Sequence, residues 1–250
     1  MKRVALIPAR LGSTRFPGKL LAMLGGKTVI RRTYQSVIGT GLFDDVLVVC
    51  DSDEIEQEIV RHSGHAVRST REHESGTDRI AEIVETLSAD NVLNVQGETP
   101  FTERAPLGGL LAVFEDAAGR DVQVASLMRV LTDAALVADP NCVKVAVDLR
   151  MNALLFSRAA IPYPRDPAAA PVYYEHIGVY AFRREALLAF ARLAPSPLER
   201  VEKIECLRLL ENGIRLRMVV TDREGVEIDT PEDLARAERL LANGMRQPAP

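Results

Sequence analysis

Three cations stand on one short loop at spacings of five and four residues: Arg10, Arg15 and Lys19. Gly12 and Gly18 let a ligand approach the backbone between them, and Ser13 and Thr14 add hydroxyls. Guanidinium groups make forked, bidentate contacts with phosphate, and a lysine supplies a compact point charge. The segment therefore reads as a cradle for a polyphosphate. It lacks the GxxxxGK[ST] spacing of a Walker A loop and the GxGxxG of a dinucleotide fold, which argues against an oxidoreductase.

A cradle needs a frame to hold it. Arg3–Pro8, directly before the loop, is an apolar run that reads as a buried strand. Val29, Ile30, Thr33, Tyr34, Val37 and Ile38 recur at helical spacing and stop at Gly39 and Gly41. Val46–Val49 reads as a strand, Ser52–Arg61 as a helix, Ala66–Arg68 as a short strand, 77–88 as a helix and Asn91–Val95 as a strand. This alternation predicts an α/β fold with a mixed, mostly parallel sheet and helices on both faces. In such sheets ligands bind beyond the carboxyl ends of the strands, where the cationic loop falls. Asp51 and Asp53, after the second long strand, read as the start of the next helix, although in other folds an acid at that place touches ribose.

Beyond residue 120 the pattern changes. Val122–Val130, Val143–Val147, Leu154–Phe156 and Ile177–Phe182 read as strands with no helix between each pair, which predicts a small antiparallel lobe inserted near 125–190. Leu198–Glu211 reads as one helix and Ile214–Val220 as a strand. Thr230 then caps a last helix, with Pro231 at its first position and acids in its first turn. The expectation is one domain over 1–250 with a frayed tail at 244–250.

Composition narrows the function. The chain has 250 residues, 47% hydrophobic and 26% charged, with 31 Lys and Arg against 35 Asp and Glu. That excludes disorder as the main state, and the net charge of −4 argues against a nucleic-acid or anionic-membrane binder. Cys50, Cys142 and Cys206 form no CxxC site and fit a reducing compartment. No run approaches the ~18 apolar residues of a membrane span, so the expectation is a cytoplasmic protein.

Several ordered segments resemble one family. ARLGSTRFPGK (9–19), HESGTDR (73–79), NVQG (94–97), PNCVK (140–144), FSRAAIP (156–162), HIGVY (176–180), PSPLE (195–199) and IDTPED (228–233) are similar to motifs of the 3-deoxy-manno-octulosonate (Kdo) cytidylyltransferases. The resemblance implies a nucleotide-diphospho-sugar transferase fold, Rossmann-like in outline, and a homodimer formed through the inserted lobe. It implies CMP transfer from CTP to the anomeric hydroxyl of Kdo, with release of pyrophosphate, for lipopolysaccharide synthesis. It places Mg²⁺ on Glu98 and Asp229, with Arg10 and Lys19 completing the catalytic set. The nucleotide falls to Ala9, Arg10, Gly12, Ser13, Arg15, Lys19, Ser75, Gly76, Arg79 and Gln96. The sugar falls to Gln96, Arg158, His176 and Glu205, with Lys144 a weaker candidate for its carboxylate.

Some of these residues have ordinary structural readings. Asp229 could help cap the last helix, and Ser75 the helix at 77–88. The chain also departs from the family pattern. Glu98 stands where aspartate is usual, Thr99 where a second acid or amide is common, Glu175 where a basic residue is common, and Cys206 where glutamine is common. An added acid at Glu175 would suit an aminated sugar such as 8-amino-Kdo. Sialic acid as substrate, or a non-catalytic nucleotide-binding relative, are the other readings.

Overall fold

The computed structural model describes residues 1–13, 15–73, 75–115, 119, 121–166, 168–223 and 225–243. The chain divides into two compact units: residues 1–108 with 225–250, and residues 109–224. The lobe expected at 125–190 lies inside the second unit. The tail at 244–250 is outside the described residues.

In the first unit, β1 (Arg3–Ala9) is buried from Val4 onward. A 3₁₀ turn at Lys19–Leu21 follows, then the hairpin β2 (Met23–Leu24) and β3 (Lys27–Thr28). α1 (Val29–Gly39), β4 (Asp45–Cys50), α2 (Asp53–Val60), β5 (Ala66–Arg68), α3 (Gly76–Val84), β6 (Asn91–Asn94) and α4 (Arg104–Ala112) come next. β1 pairs in parallel with β4 on one side and β6 on the other, and β4 with β5. Strands buried on both faces need no polar alternation, which is why β1 and β4 read as unbroken apolar runs. Short hydroxyls cap the helices: Thr28 accepts the Arg31 amide, Ser52 that of Ile55 and Ser75 that of Asp78. α3 is shorter than the expected 77–88. It ends at Val84, and the amides of Thr86 and Leu87 close turns onto Ile83 and Val84.

The second unit carries β7 (Val124–Leu131), α5 (Ala134–Ala138), β8 (Lys144–Val147), β9 (Ala153–Ser157), β10 (Tyr173–Arg183), α6 (Arg184–Phe190), α7 (Pro197–Glu202), α8 (Leu207–Glu211) and β11 (Leu216–Val220). β11 runs parallel to β7, whereas β7 with β10, β10 with β8, and β8 with β9 are antiparallel. The single helix expected over 198–211 is two. Lys203 takes left-handed angles (φ 55°, ψ 44°) and stops α7. The Glu202 carbonyl is taken by Arg158 Nε at 2.7 Å, and its carboxylate by Ser157 Oγ at 2.8 Å and the Arg158 amide at 2.9 Å. These bonds fix the end of α7, and Ile204 and Cys206 turn inward after it.

The chain returns to the first unit with α9 (Pro231–Ala242). Thr230 and Asp233 form a reciprocal capping box, with proline at the first position. No helix among the described residues is long and apolar enough to cross a membrane.

Lys144 is fully buried, and its Nζ donates to the carbonyls of Asp139 (2.8 Å) and Cys142 (2.6 Å). Its charge therefore serves the fold. Lys144→Met fills the same space but strands both carbonyls, and should lower unfolding free energy by about 2–3 kcal/mol in denaturant titration. A change within about 0.5 kcal/mol would show that these bonds contribute nothing.

Candidate active site

Gly18 adopts φ 68°, ψ 17°, a left-handed conformation open to glycine, and so starts the turn that presents Lys19. Lys19 is 7% exposed. Its Nζ donates to Glu98 Oε1 at 2.8 Å and to Asp229 Oδ1 at 2.8 Å. Arg15 Nη2 donates to the other Asp229 oxygen at 2.7 Å. Two carboxylates far apart in sequence thus converge on one ammonium just beyond β1.

The backbone behind Glu98 is held on both sides. Thr33 Oγ1 donates to the Gly97 carbonyl at 2.7 Å, and the Ile228 amide to the Glu98 carbonyl at 3.0 Å. A Cβ at Gly97 would lie 2.9 Å from the Pro8 carbonyl, so only glycine lets the two segments approach. Thr99 is buried and gives its hydroxyl (2.6 Å) and amide (3.1 Å) to the Gln96 carbonyl. Where the family pattern has an acid or amide, this chain has a turn-closing hydroxyl.

Asp229 does not cap α9; Asp233 does, accepting the Asp229 and Thr230 amides at 3.1 and 2.9 Å. Burial disfavours the Asp229 charge, but the bonds and charges of Lys19 and Arg15 outweigh it and hold the carboxyl below its ordinary value. Burial likewise opposes the Lys19 charge, and Glu98 and Asp229 reverse that, raising its pKa. Glu98 and Asp229 are the donors that could hold a hard divalent cation. Two convergent carboxylates fit the chemistry of such an ion, whose other positions go to water and phosphate. Among the described residues no three His, Cys, Asp or Glu side chains gather as a closed metal cluster.

Beside the loop lies a cleft of about 570 Å³ lined in part by Arg10, Gly12, Asp51, Ser69, His73 and Arg79. Arg79 is 5% exposed; its Nη1 donates to Ser69 Oγ at 2.5 Å and its Nη2 to Asp51 Oδ2 at 3.3 Å. Asp51 also accepts the Leu11 amide at 2.9 Å. Asp51, read from sequence as a helix start, instead ties the loop to Arg79, while Ser52 caps α2. Only its place at the end of a buried strand hinted at this. Ala9 is buried at the end of β1, Arg10 and Gly12 are exposed, and Ser13 is half-buried. Thr14 and Glu74 lie outside the described residues. Ser75 accepts the Asp78 amide at 3.0 Å and donates to its carboxylate at 2.7 Å, so its hydroxyl is engaged in capping. A Cβ on Gly76 would sit 3.0 Å from the Pro8 ring and 3.4 Å from Gln96 Oε1, so α3 starts against Gln96.

The sugar candidates lie in the second unit. Arg158 places Nε on the Glu202 carbonyl (2.7 Å) and Nη1 on the Pro140 carbonyl (2.7 Å), which fixes its guanidinium plane. The Arg158 amide, first among several bonds, keeps the Glu202 carboxyl below the usual range. His176 packs against Phe156 and Tyr180, with centroids 4.8 and 5.4 Å away. Its Nε2 lies 3.0 Å from Ser126 Oγ, which in turn donates to the Val179 carbonyl at 2.8 Å. That order makes Nε2 the protonated nitrogen of a neutral ring, and burial lowers the His176 pKa to about 4. Glu205 is half-buried. Cys206 is buried against Tyr180, which bonds its sulfur, and burial raises the thiol pKa. Glu175 pairs with Arg129. Burial also pushes Cys50 to about 11 and Cys142 to about 12, so neither is a nucleophile.

A cytidylyltransferase family model matches residues 4–218. The 3-deoxy-manno-octulosonate cytidylyltransferase of Flavobacterium johnsoniae is 54% identical over 241 residues, covering 96% of this chain and 99% of that one. Its counterpart in Geobacter metallireducens is 40% identical over 253 residues, covering 97% and 98%. Among solved structures, a CMP:2-keto-3-deoxy-manno-octonic acid synthetase complexed with CTP superposes with TM-score 0.91 at 36% identity, covering 97% of this chain and 99% of that chain. A cytidylyltransferase from Leptospira borgpetersenii shares the fold at TM-score 0.67 and 16% identity, covering 100% and 90%.

Lys19→Met should raise the Asp229 titration midpoint, as read by carboxyl-carbon NMR. The wild-type Asp229 carboxyl sits below its unfolded value, so its stabilisation is complete above the ordinary aspartate pKa of about 3.9 and is lost as pH falls through the folded value. The variant should lose part of that acid-limb dependence. An unmoved Asp229 midpoint would contradict the coupling.

Proposed function

The chain belongs to the cytidylyltransferase family, alongside its 3-deoxy-manno-octulosonate enzymes, and from that premise we propose that it transfers CMP from CTP to Kdo. The observation that carries the reading is the meeting of Glu98 and Asp229 at Lys19, beyond the first strand of a chain that matches Kdo enzymes end to end. In the reaction the anomeric hydroxyl of the sugar loses its proton to solvent as its oxygen bonds to the α-phosphorus, the bond to the bridging oxygen breaks, and pyrophosphate leaves with the electron pair. Such phosphoryl-type transfers need positioning and charge stabilisation more than covalent help from the protein.

The loop supplies both. Arg10, Arg15 and Lys19 offer the triphosphate three cations, and the open backbone at Gly12 lets it approach. The cleft beside Arg79 takes the nucleoside. Glu98 and Asp229 would hold Mg²⁺, which when bound offsets the charge developing on the phosphate oxygens. Glu98 suits this task although it is one methylene longer than aspartate, because its carboxylate reaches Lys19 Nζ as closely as that of Asp229 does. On the sugar side, Arg158 is held by carbonyls through Nε and Nη1, which leaves its outer edge to address a carboxylate. The pairing of Glu175 with Arg129 occupies the acid that would greet an added amine, and so favours plain Kdo over 8-amino-Kdo.

The same reading makes the protein a cytoplasmic homodimer that supplies lipopolysaccharide synthesis. Exposed Leu149, Leu154, Leu155 and Tyr163 in the second unit support a second copy there.

Pyrophosphate release from CTP and Mg²⁺ should require Kdo and fail with sialic acid or no sugar. Release only with 8-amino-Kdo or sialic acid would overturn the sugar assignment. Silence from folded protein that binds CTP would overturn catalysis. Glu98→Gln should lower kcat by about 100-fold or more. Glu98→Asp should lower it by about tenfold, because the backbone is pinned and cannot advance to make up the lost methylene.

A further inference from the structure

Asp51 joins three elements through one side chain. Oδ1 accepts the Leu11 amide at 2.9 Å on the cationic loop, and Oδ2 accepts Arg79 Nη2 at 3.3 Å on α3. Arg79 Nη1 donates to Ser69 Oγ at 2.5 Å. Ser69 in turn donates its amide (2.9 Å) and hydroxyl (3.2 Å) to the Cys50 carbonyl, next to Asp51. Arg68 Nη2 donates to the Asp51 carbonyl at 2.9 Å. Leu11, Asp51, Ser69 and Arg79 all line the cleft.

The Arg79 side chain is 6% exposed, against 33% for Asp51. A guanidinium that deeply buried needs a local carboxylate, and one matched in this way gains little from a second anion. Lys19 and Arg15 are matched differently: their partners, Glu98 and Asp229, are the donors a metal would take. Asp51 belongs to no such set and stays with Arg79.

We propose that Asp51 is a positioning residue for CTP, holding the Leu11 amide and Arg79 in register and cancelling the Arg79 charge so that the cleft selects the uncharged nucleoside. The inference rests on the cytidylyltransferase reading. It deepens that reading by giving the charge-matched Arg79 end of the cleft to the nucleoside, while the Arg10 side, shared with the cationic loop, faces the triphosphate.

Equilibrium binding of CTP and of inorganic tripolyphosphate to the full-length protein tests it. Asp51→Asn keeps an acceptor for the Leu11 amide but turns amide hydrogens toward Arg79. Its Kd for CTP should rise about tenfold while tripolyphosphate binds more tightly than to wild type. In turnover, KM for CTP should rise, with kcat and KM for Kdo close to wild type. Asp51→Ala, which loses both arms, should weaken CTP binding further. Ser69→Ala, which removes the other Arg79 partner and leaves its charge matched, should weaken CTP binding without any gain for tripolyphosphate.

A CTP Kd within about twofold of wild type in Asp51→Asn would overturn the proposal. So would a parallel loss of CTP and tripolyphosphate binding, which general loosening produces. If neither Asp51 variant folds, Ser69→Ala decides, and an unchanged Kd for CTP overturns the proposal. Because binding needs no turnover, a wild type that binds CTP but releases no pyrophosphate defeats the reaction assigned above and leaves the Asp51 test standing.

Discussion

Two carboxylates stay ionised together in a partly dehydrated site only if a cation stands by them. Lys19 is that cation, and much of the first unit is arranged to deliver it and its two partners to one place. Gly18 turns the chain so that Lys19 points inward, the Gln96–Thr99 turn closes on itself to present Glu98, and the Ile228 amide binds the Glu98 carbonyl just ahead of Asp229. Asp233 takes over the capping duty that would otherwise fall on Asp229, so the latter keeps both oxygens for Lys19 and Arg15. The same division of labour keeps the pair open: the ammonium holds the acids together without forming a closed cage around them.

The second unit solves a different problem. Two of the side chains at positions implied for the sugar are oriented by networks that end on backbone oxygens. Arg158 rests on two carbonyls, and His176, kept neutral by burial, meets a serine that itself bonds a carbonyl in the irregular stretch of β10. Carbonyl partners orient the Arg158 guanidinium, and the nearby Glu202 carboxylate is held by the Arg158 amide and Ser157. Lys144 shows where the same device serves only the fold: carbonyls bind it equally well, but complete burial removes it from any ligand.

The legible parts of the sequence were those fixed by local chemistry. Apolar runs marked the parallel strands, and Ser52, Ser75 and Thr230 marked helix starts because each hydroxyl accepts the amide three residues on and so completes its cap locally. The cationic loop was legible because spacing and strand-end position coincide. What escaped depends on partners distant in sequence. The break between α7 and α8 is set by Ser157 and Arg158 seizing Glu202, so a continuous helical pattern over 198–211 gave no warning. Asp51 looked like one of several acids before a helix, and only the arrival of Leu11 and Arg79 separates it from Asp53.

The substitution of Glu98 for aspartate follows the same rule, that a side chain's reach matters only relative to what fixes its backbone. Were the Gly97–Glu98 segment loose, an extra methylene would push the carboxylate past its target. Here Thr33 holds the Gly97 carbonyl, Ile228 holds that of Glu98, and Pro8 leaves no room at Gly97 for even a methyl group. With the backbone set, the longer side chain is the one that meets Lys19 at hydrogen-bond distance. Thr99 completes the exchange: a hydroxyl that closes the turn adds no negative charge beside Glu98 and Asp229, so Lys19, with Arg15 on the outer oxygen of Asp229, suffices to hold the pair.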